Sequence, residues 1–364
     1  MKLLFVSQMT RYSRSVYTIS KYVEVGRKLG HEVAVFGEQC AEFPSLPYSL
    51  DVKSFDFAIF VVHDPSDFPD LPYLAQLLDG VPRERRVLID CCGRYNETIR
   101  VEHDFNHLEK MEGHQGWEWI EAFRAVAGLI LQPALNPLPS DVKPFLFHGY
   151  DTAEVAHPDR SAEEAARSWA GSNGSGKPYG FVYVGNNWQR WSQMRPFLES
   201  IEPLKQELGP MCIAGWDWEQ RPDWAVELGI QGSDVDPALL ARLGVEVRPA
   251  LPFDEVKELL GKARFSPIFH RPLFNHLGLV TNRTFQTFCA DTIPVLMMPE
   301  NMAQAIYGPA ASVLRAGDGV AAHLREVCRQ PEAYWSAVLK TREHLAQKHS
   351  FERRLEELRA ILEG

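Results

Sequence analysis

Two stretches of this chain combine residue types suited to holding an anion. Tyr183-Val184-Gly185-Asn186-Asn187-Trp188-Gln189-Arg190 ends an apolar run, turns at a glycine, and offers two amides and a guanidinium. Gly185 lets the backbone approach a phosphate closely, and Arg190 can meet two oxygens in forked fashion. Asn186 and Asn187 suit left-handed turn geometry or hydroxyl-rich ligands. The second stretch is an apolar run from Phe265 that ends in His270-Arg271 and leads through Gly278 to Thr281-Asn282-Arg283-Thr284-Phe285-Gln286. Phe285, Phe288 and Cys289 mark the buried side of a helix. Its first turn would present free N–H groups and the positive end of the helix dipole, with Arg283 adding a full charge. In the first half of the chain, His63 and Asp64 follow one apolar run and Asp90 ends another. Each could orient or deprotonate a hydroxyl, although a polar residue at a strand end is also a common turn former.

Other patterns come close to known chemistry and fall short. Gly171 to Lys177 resembles a phosphate-binding loop, but Pro178 follows the lysine where a magnesium-binding hydroxyl is needed, and the stretch precedes a strand instead of following one. Asp234-Val235-Asp236 matches a metal-holding triplet yet leads into the helical pattern 237–243, so it reads as a capping loop. No metal site is expected. Trp188, Trp191, Trp216 and Trp218 could stack on a ring or simply pack the core.

These residues need a scaffold of strands that end near one another. Apolar runs at 3–7, 32–36, 57–62, 86–89, 127–131 and 145–147 alternate with helix-length or loop-length segments, as a parallel sheet requires. Between 151 and 178 the pattern lapses and ends in a Gly/Ser-rich stretch of linker composition. Alternation resumes at 180–184, 211–214, 245–248, 265–269, 293–297 and 312–314, with a helix capped by Asp254 and another from Ser350 to Leu362. The expectation is an α/β chain with two successive open parallel sheets and a ligand cleft beyond their strand ends. The boundaries are residues 1–155 for an acceptor-binding domain, 156–178 for a linker, 179–335 for a donor-binding domain and 336–364 for terminal helices.

Bulk properties agree with a globular enzyme. The 364 residues exceed what one core usually serves, and 45% are hydrophobic. A formal charge of −10, from 48 acidic and 38 basic residues, argues against nucleic acid as a partner. The opening apolar run turns polar by Ser7, too short for a signal or a membrane span. Six cysteines without Cys-x-x-Cys spacing fit a reduced, cytoplasmic setting.

The turn Val184 to Arg190, the strand ending in His270-Arg271, the helix start Thr281 to Gln286 with Ile293-Pro294-Val295, and the closing His349 to Arg354 together resemble the donor-binding half of group 1 glycosyltransferases, nearest the CgeB-like spore-maturation branch. The likeness covers residues 178 to 362. It implies two Rossmann-like parallel-sheet domains facing a cleft (the GT-B fold), with the C-terminal helix crossing back to the first domain. It further implies transfer of a sugar from a UDP- or GDP-sugar, a co-substrate with no cofactor, to a carbohydrate or small-molecule acceptor. Transfer would be metal-independent and retain anomeric configuration. Donor-binding residues would be Gly185, Asn186, Asn187, Arg190, His270, Arg271, Thr281, Asn282, Arg283 and Gln286, with His63, Asp64 or Asp90 as catalytic candidates. The family usually carries Glu where Gln286 stands and Gly where Asp291 stands. A catalytically silent nucleotide- or sugar-binding module and a nucleotide-sugar epimerase are the alternatives.

Overall fold

The computed structural model describes residues 1–10, 14–63, 73–93, 95, 117–137, 139–171, 176–227, 233–317 and 319–364. Asp64 and most of the Gly/Ser-rich stretch, residues 172–175, lie outside the described residues. Among the described residues there are twelve strands: β1 Lys2–Val6, β2 Glu32–Phe36, β3 Tyr48–Ser49, β4 Phe57–Val62, β5 Arg86–Asp90, β6 Leu129–Gln132, β7 Val142–Pro144, β8 Tyr179–Val184, β9 Met211–Ala214, β10 Val245–Arg248, β11 Ala263–Phe269 and β12 Ile293–Met297. They form two wholly parallel sheets, ordered β3-β2-β1-β4-β5-β6-β7 and β10-β9-β8-β11-β12.

The strands are short runs of branched and aromatic residues because both sheet faces are covered. Leu3 and Phe5 point to one cluster and Leu4 and Val6 to the other. The second sheet divides likewise, with Phe181 and Tyr183 in its larger cluster and Val182 in the smaller one. Strand order reverses between β1 and β4 in the first sheet and between β8 and β11 in the second. At such switch points the two flanking loops turn opposite ways and leave a crevice beyond the carboxyl ends of the strands.

The chain passes between the sheets twice. It leaves the first sheet through residues 145–156 and returns at 349–351, where Tyr150 N–H donates to the His349 carbonyl at 2.7 Å. The helix Phe351–Glu363 starts at Ser350, whose Oγ accepts from Arg353 N–H at 3.4 Å, and buries Phe351, Leu355 and Leu358 in the first sheet's core with Leu3, Phe5 and Tyr22. The helix Ala162–Ala170 is fixed by a Ser161/Glu164 capping box and buries Ala165, Ala166 and Trp169 against the second sheet. An ion triad fastens this segment: Asp291 pairs with Arg160 and, at 2.7 Å, with Lys177.

Three local expectations change. Residues 145–147 are not a strand; the pairing residues are Val142–Pro144, and Phe145 and Phe147 are coil side chains buried in the core. Residues 312–314 fall in the 3-10 segment Pro309–Leu314, because Pro309 opens a tight turn where only an isolated bridge reaches β12. Asp254 lies inside a 3-10 turn, Phe253–Glu255, ahead of the helix Val256–Gly261, so it caps nothing.

Candidate functional site

The crevice at the β8/β11 switch point gathers most of the candidate residues of the second half. Gly185 follows β8 at φ 148°, and a Cβ placed there would lie 1.8 Å from Arg283 Nη2. Glycine is therefore needed for the arginine to lie across the turn. Gly215, at the end of β9 with φ 154°, packs so closely that a Cβ would lie 2.3 Å from the Gly185 carbonyl oxygen. That oxygen accepts from Trp218 Nε1 at 2.7 Å.

Arg283, in the first turn of the helix Asn282–Cys289, donates to Tyr183 Oη at 2.5 Å and stacks 4.7 Å from that ring's centroid. Burial, with a contribution from Arg190, lowers its pKa to about 10 despite the offsetting Tyr183. Arg190 is 3% exposed and donates through Nη1 to the Asn186 carbonyl at 2.7 Å. Among the described residues no carboxylate pairs with either guanidinium. His270 is buried beside both, its Nε2 3.3 Å from Thr284 Oγ1. Burial first, then Arg283 and Arg190, push its pKa to about 3, so it is a neutral neighbour of two cations. Two neighbouring cations with no counter-ion among the described residues, at a helix start and under a glycine turn, have the chemistry that suits a multiply charged anion.

The other candidates separate by orientation. Asn186 accepts from Trp216 N–H at 3.1 Å and lines the cleft. Asn187 faces away, with Nδ2 donating to the Asp217 and Asp234 carbonyls at 2.8 and 3.0 Å, and so pins two loops together. Arg271 stacks between Trp188 and Phe274, at 5.6 and 5.2 Å. Thr281 is buried at the helix N-cap, its N–H donating to Thr284 Oγ1 at 3.3 Å. Asn282 is 2% exposed with no partner for Nδ2 and borders a second cavity, lined also by Tyr17, Asp151 and Lys257. Gln286 lines both that cavity and the main cleft and donates to the Phe253 carbonyl at 3.3 Å.

Beyond Arg283 the cleft, open to solvent, becomes apolar, walled by Ala214, Trp216, Ala250, Leu251, Val256 and Leu260. Tyr183, Gly215 and the 250–253 wall were not singled out from the sequence. A second glycine directly after a strand, Gly215, was the available signal. Asp236 caps the helix Pro237–Leu243 through Leu239 N–H at 2.9 Å, and Asp234 pairs with Arg221 at 3.2 Å. Lys177 binds Asp291 and two carbonyls, not an anion site.

In the first sheet, His63 follows β4 at the other switch point, its Nε2 2.5 Å from Ser15 Oγ. Asp90 is 1% exposed and accepts from Tyr95 N–H at 2.7 Å, Gln132 Nε2 at 2.9 Å and Cys92 N–H at 3.3 Å. Its carboxylate closes the turn after β5. The two halves meet at Tyr17, whose ring lies 4.5 Å from that of Phe253.

Sheet order, paired switch-point crevices and the returning terminal helix define the fold as that of the two-domain GT-B glycosyltransferases. Among solved structures, an alpha-glucosyltransferase in complex with UDP and a 13-mer DNA containing a HMU base aligns over 100% of this chain and 98% of its own, with TM-score 0.61 and 11% identity. The DNA-modifying enzyme beta-glucosyltransferase, studied with and without uridine diphosphoglucose, aligns over the whole of both chains, with TM-score 0.57 and 10% identity. The T4 phage beta-glucosyltransferase with UDP and Mn2+ aligns over 98% of this chain and 99% of its own, with TM-score 0.56 and 11% identity. No protein-family model and no curated sequence matches the chain.

These neighbours correct one expectation. Nucleic acid was set aside on net charge, yet proteins sharing the entire fold are DNA-modifying or hold DNA. Net charge sums over the whole surface and leaves the field inside a cleft undetermined. No group of three or more His, Cys, Asp or Glu among the described residues is arranged to hold a metal ion. No described helix is long and apolar enough to cross a membrane.

Proposed function

We propose that this protein transfers a sugar from a nucleoside diphosphate donor to an acceptor hydroxyl. The observation that carries the reading is the pair Arg190 and Arg283, uncompensated by acidic groups among the described residues, at the switch point beneath Gly185. The diphosphate lies over Gly185 between the two guanidinium groups and the start of the Asn282–Cys289 helix. The base extends toward Ala250 and Leu251, and the ribose toward Gln286. As the sugar–phosphate bond breaks, negative charge develops on the diphosphate, where fixed cations stabilise it without reorganising.

The two arginines supply the charge neutralisation that a metal would otherwise provide, which supports metal-independent transfer from a UDP- or GDP-sugar. Retention of configuration rests on the group 1 resemblance, and the fold neighbours include both an alpha- and a beta-glucosyltransferase. The acceptor approaches from the first sheet. His63, at that sheet's switch point, is positioned to take its proton, while Asp90 holds the adjoining turn.

Titration of the purified protein with UDP, GDP, ADP and TDP in a calorimeter tests the first step. The expected result is binding of at least one, weakened in Arg283→Ala; failure to bind any of the four refutes the reading. Incubation of the donor sugar with hydroxyl acceptors, hydroxymethylated DNA among them, then separates a transferase from a silent binder. Incubation of the donor alone detects an epimerase.

A further inference from the structure

The helix Asn282–Cys289, which carries Arg283, is anchored from two directions. Its carboxyl end is held within the second half, where Arg342 donates to the Phe288 and Ala290 carbonyls at 2.8 and 2.7 Å. Its amino end is held by the first half. Val280 N–H donates to the Pro133 carbonyl at 2.7 Å and Leu135 N–H to the Gly278 carbonyl at 3.2 Å, so that residues 133–135, directly after β6, clasp residues 278–280 in antiparallel fashion. Thr281, the N-cap, is the next residue. Ala134, Leu277 and Leu279 are buried in one cluster at this clasp, and the turn after β5 packs on it. A Cβ on Gly93 would lie 2.5 Å from Leu277 Cδ1 and 3.0 Å from Leu279 Cδ1.

We propose that Asp90 is a positioning residue for the donor site, acting across the two halves through Gln132 and the Gly93 turn on the residues that lead into Thr281 and Arg283. The proposal rests on the transferase reading and gives Asp90 a part in donor binding. Asp90 is 1% exposed, and its carboxylate fixes both parts of the first half that bear on the clasp. Gln132 Nε2, at the end of β6 and next to Pro133, donates to it at 2.9 Å. The N–H groups of Cys92 and Tyr95, on either side of Gly93, donate to it at 3.3 and 2.7 Å. A buried carboxylate is costly without such donors, so they hold its surroundings in one arrangement. Close-packed interiors pass a displacement on instead of absorbing it. At the far side of this contact stand the helix start and Arg283, and a misplacement of about 1 Å in such a constellation costs on the order of a hundredfold.

The test uses the full-length protein with Asp90→Asn and, separately, Gly93→Ala, neither of which lines the cleft beneath Gly185. Calorimetry should show the Kd for UDP raised about tenfold in each variant. Hydrogen exchange should show the clasping amides of Leu135 and Val280 opening about tenfold faster, while the amides of β8 and β9 keep the parental rates. Loss of a catalytic base would instead leave UDP affinity unaltered, and a general loss of stability would speed exchange in both sheets alike; either result overturns the proposal. So does unchanged exchange at the two clasping amides. A parent protein that binds no nucleoside diphosphate removes the transferase reading as well, whereas a parent that binds UDP with the same affinity as both variants sinks the positioning role alone.

Discussion

Replacing Arg283 with methionine separates its part in binding from its part in folding. The side chain is partly buried, faces Arg190, and has a pKa lowered from 12.5 to about 10 by burial first and by Arg190 after it. A cation whose pKa is depressed on folding is disfavoured in the native state. At pH 7 it remains charged, so the native state carries a cost that is lifted only as pH rises through about 10. That drop corresponds to on the order of 3 kcal/mol. That figure is already net of the offsetting attraction and hydrogen bond of Tyr183, and methionine keeps the aliphatic stem. The ligand-free variant should therefore unfold in urea within about 1 kcal/mol of the parent, or above it. Binding should behave oppositely. Loss of charge-assisted bonds to a diphosphate costs about 1.5–3 kcal/mol, raising the Kd for UDP roughly 10- to 150-fold. A variant several kcal/mol less stable without ligand, yet with unaltered UDP affinity in the calorimeter, would refute the reasoning and make Arg283 a structural residue.

Other outcomes follow from the same geometry. Gly185→Ala should abolish UDP binding and cost about 1–3 kcal/mol of stability, since the new Cβ would sit 1.8 Å from Arg283 Nη2 at φ 148°; calorimetry and urea unfolding read the two effects. Asp291→Ala should destabilise by about 3–5 kcal/mol because Lys177 and Arg160 lose their buried partner. Burial alone would raise the Asp291 carboxyl, but the two cations hold it below 3.8. Its contribution is therefore present above that value and lost as pH falls through the lowered one, which urea unfolding across pH detects. His349 is held neutral, with its pKa lowered to about 3 by burial and then by Arg354 and His344. Its contribution is complete above about pH 6.5 and declines as pH falls toward 3, so His349→Gln should flatten the loss of stability over that window.

Much of the fold was legible because buried parallel strands leave an unambiguous trace: short, nearly all-apolar runs at helix-length intervals. Ten of the runs read from the sequence overlap observed strands; those at 145–147 and 312–314 do not, because an apolar run also arises wherever coil is buried. The two-residue strand Tyr48–Ser49 carries no such run, and only pairing to β2 reveals it. At the candidate site, residue types pointed to Gly185, Arg190, His270 and Arg283, which the fold gathers at one switch point. Orientation was not legible. Asn187 and Asn186 are adjacent and chemically alike, yet one pins loops and the other lines the cleft, a distinction set by contacts with residues some 30 to 47 positions away. Asp90 shows the same limit: three donors from a later turn and from β6 claim its carboxylate.

The returning helix Phe351–Glu363 has a consequence for synthesis. A ribosome delivers the first sheet's strands early, but Phe351, Leu355 and Leu358, which complete their core, follow only after the whole second sheet. The second sheet, by contrast, has all its strands by residue 297 and its packing helices by 349. The half made first thus waits with an open apolar face while residues 145–350 are made, and closing that distant contact makes its folding slow.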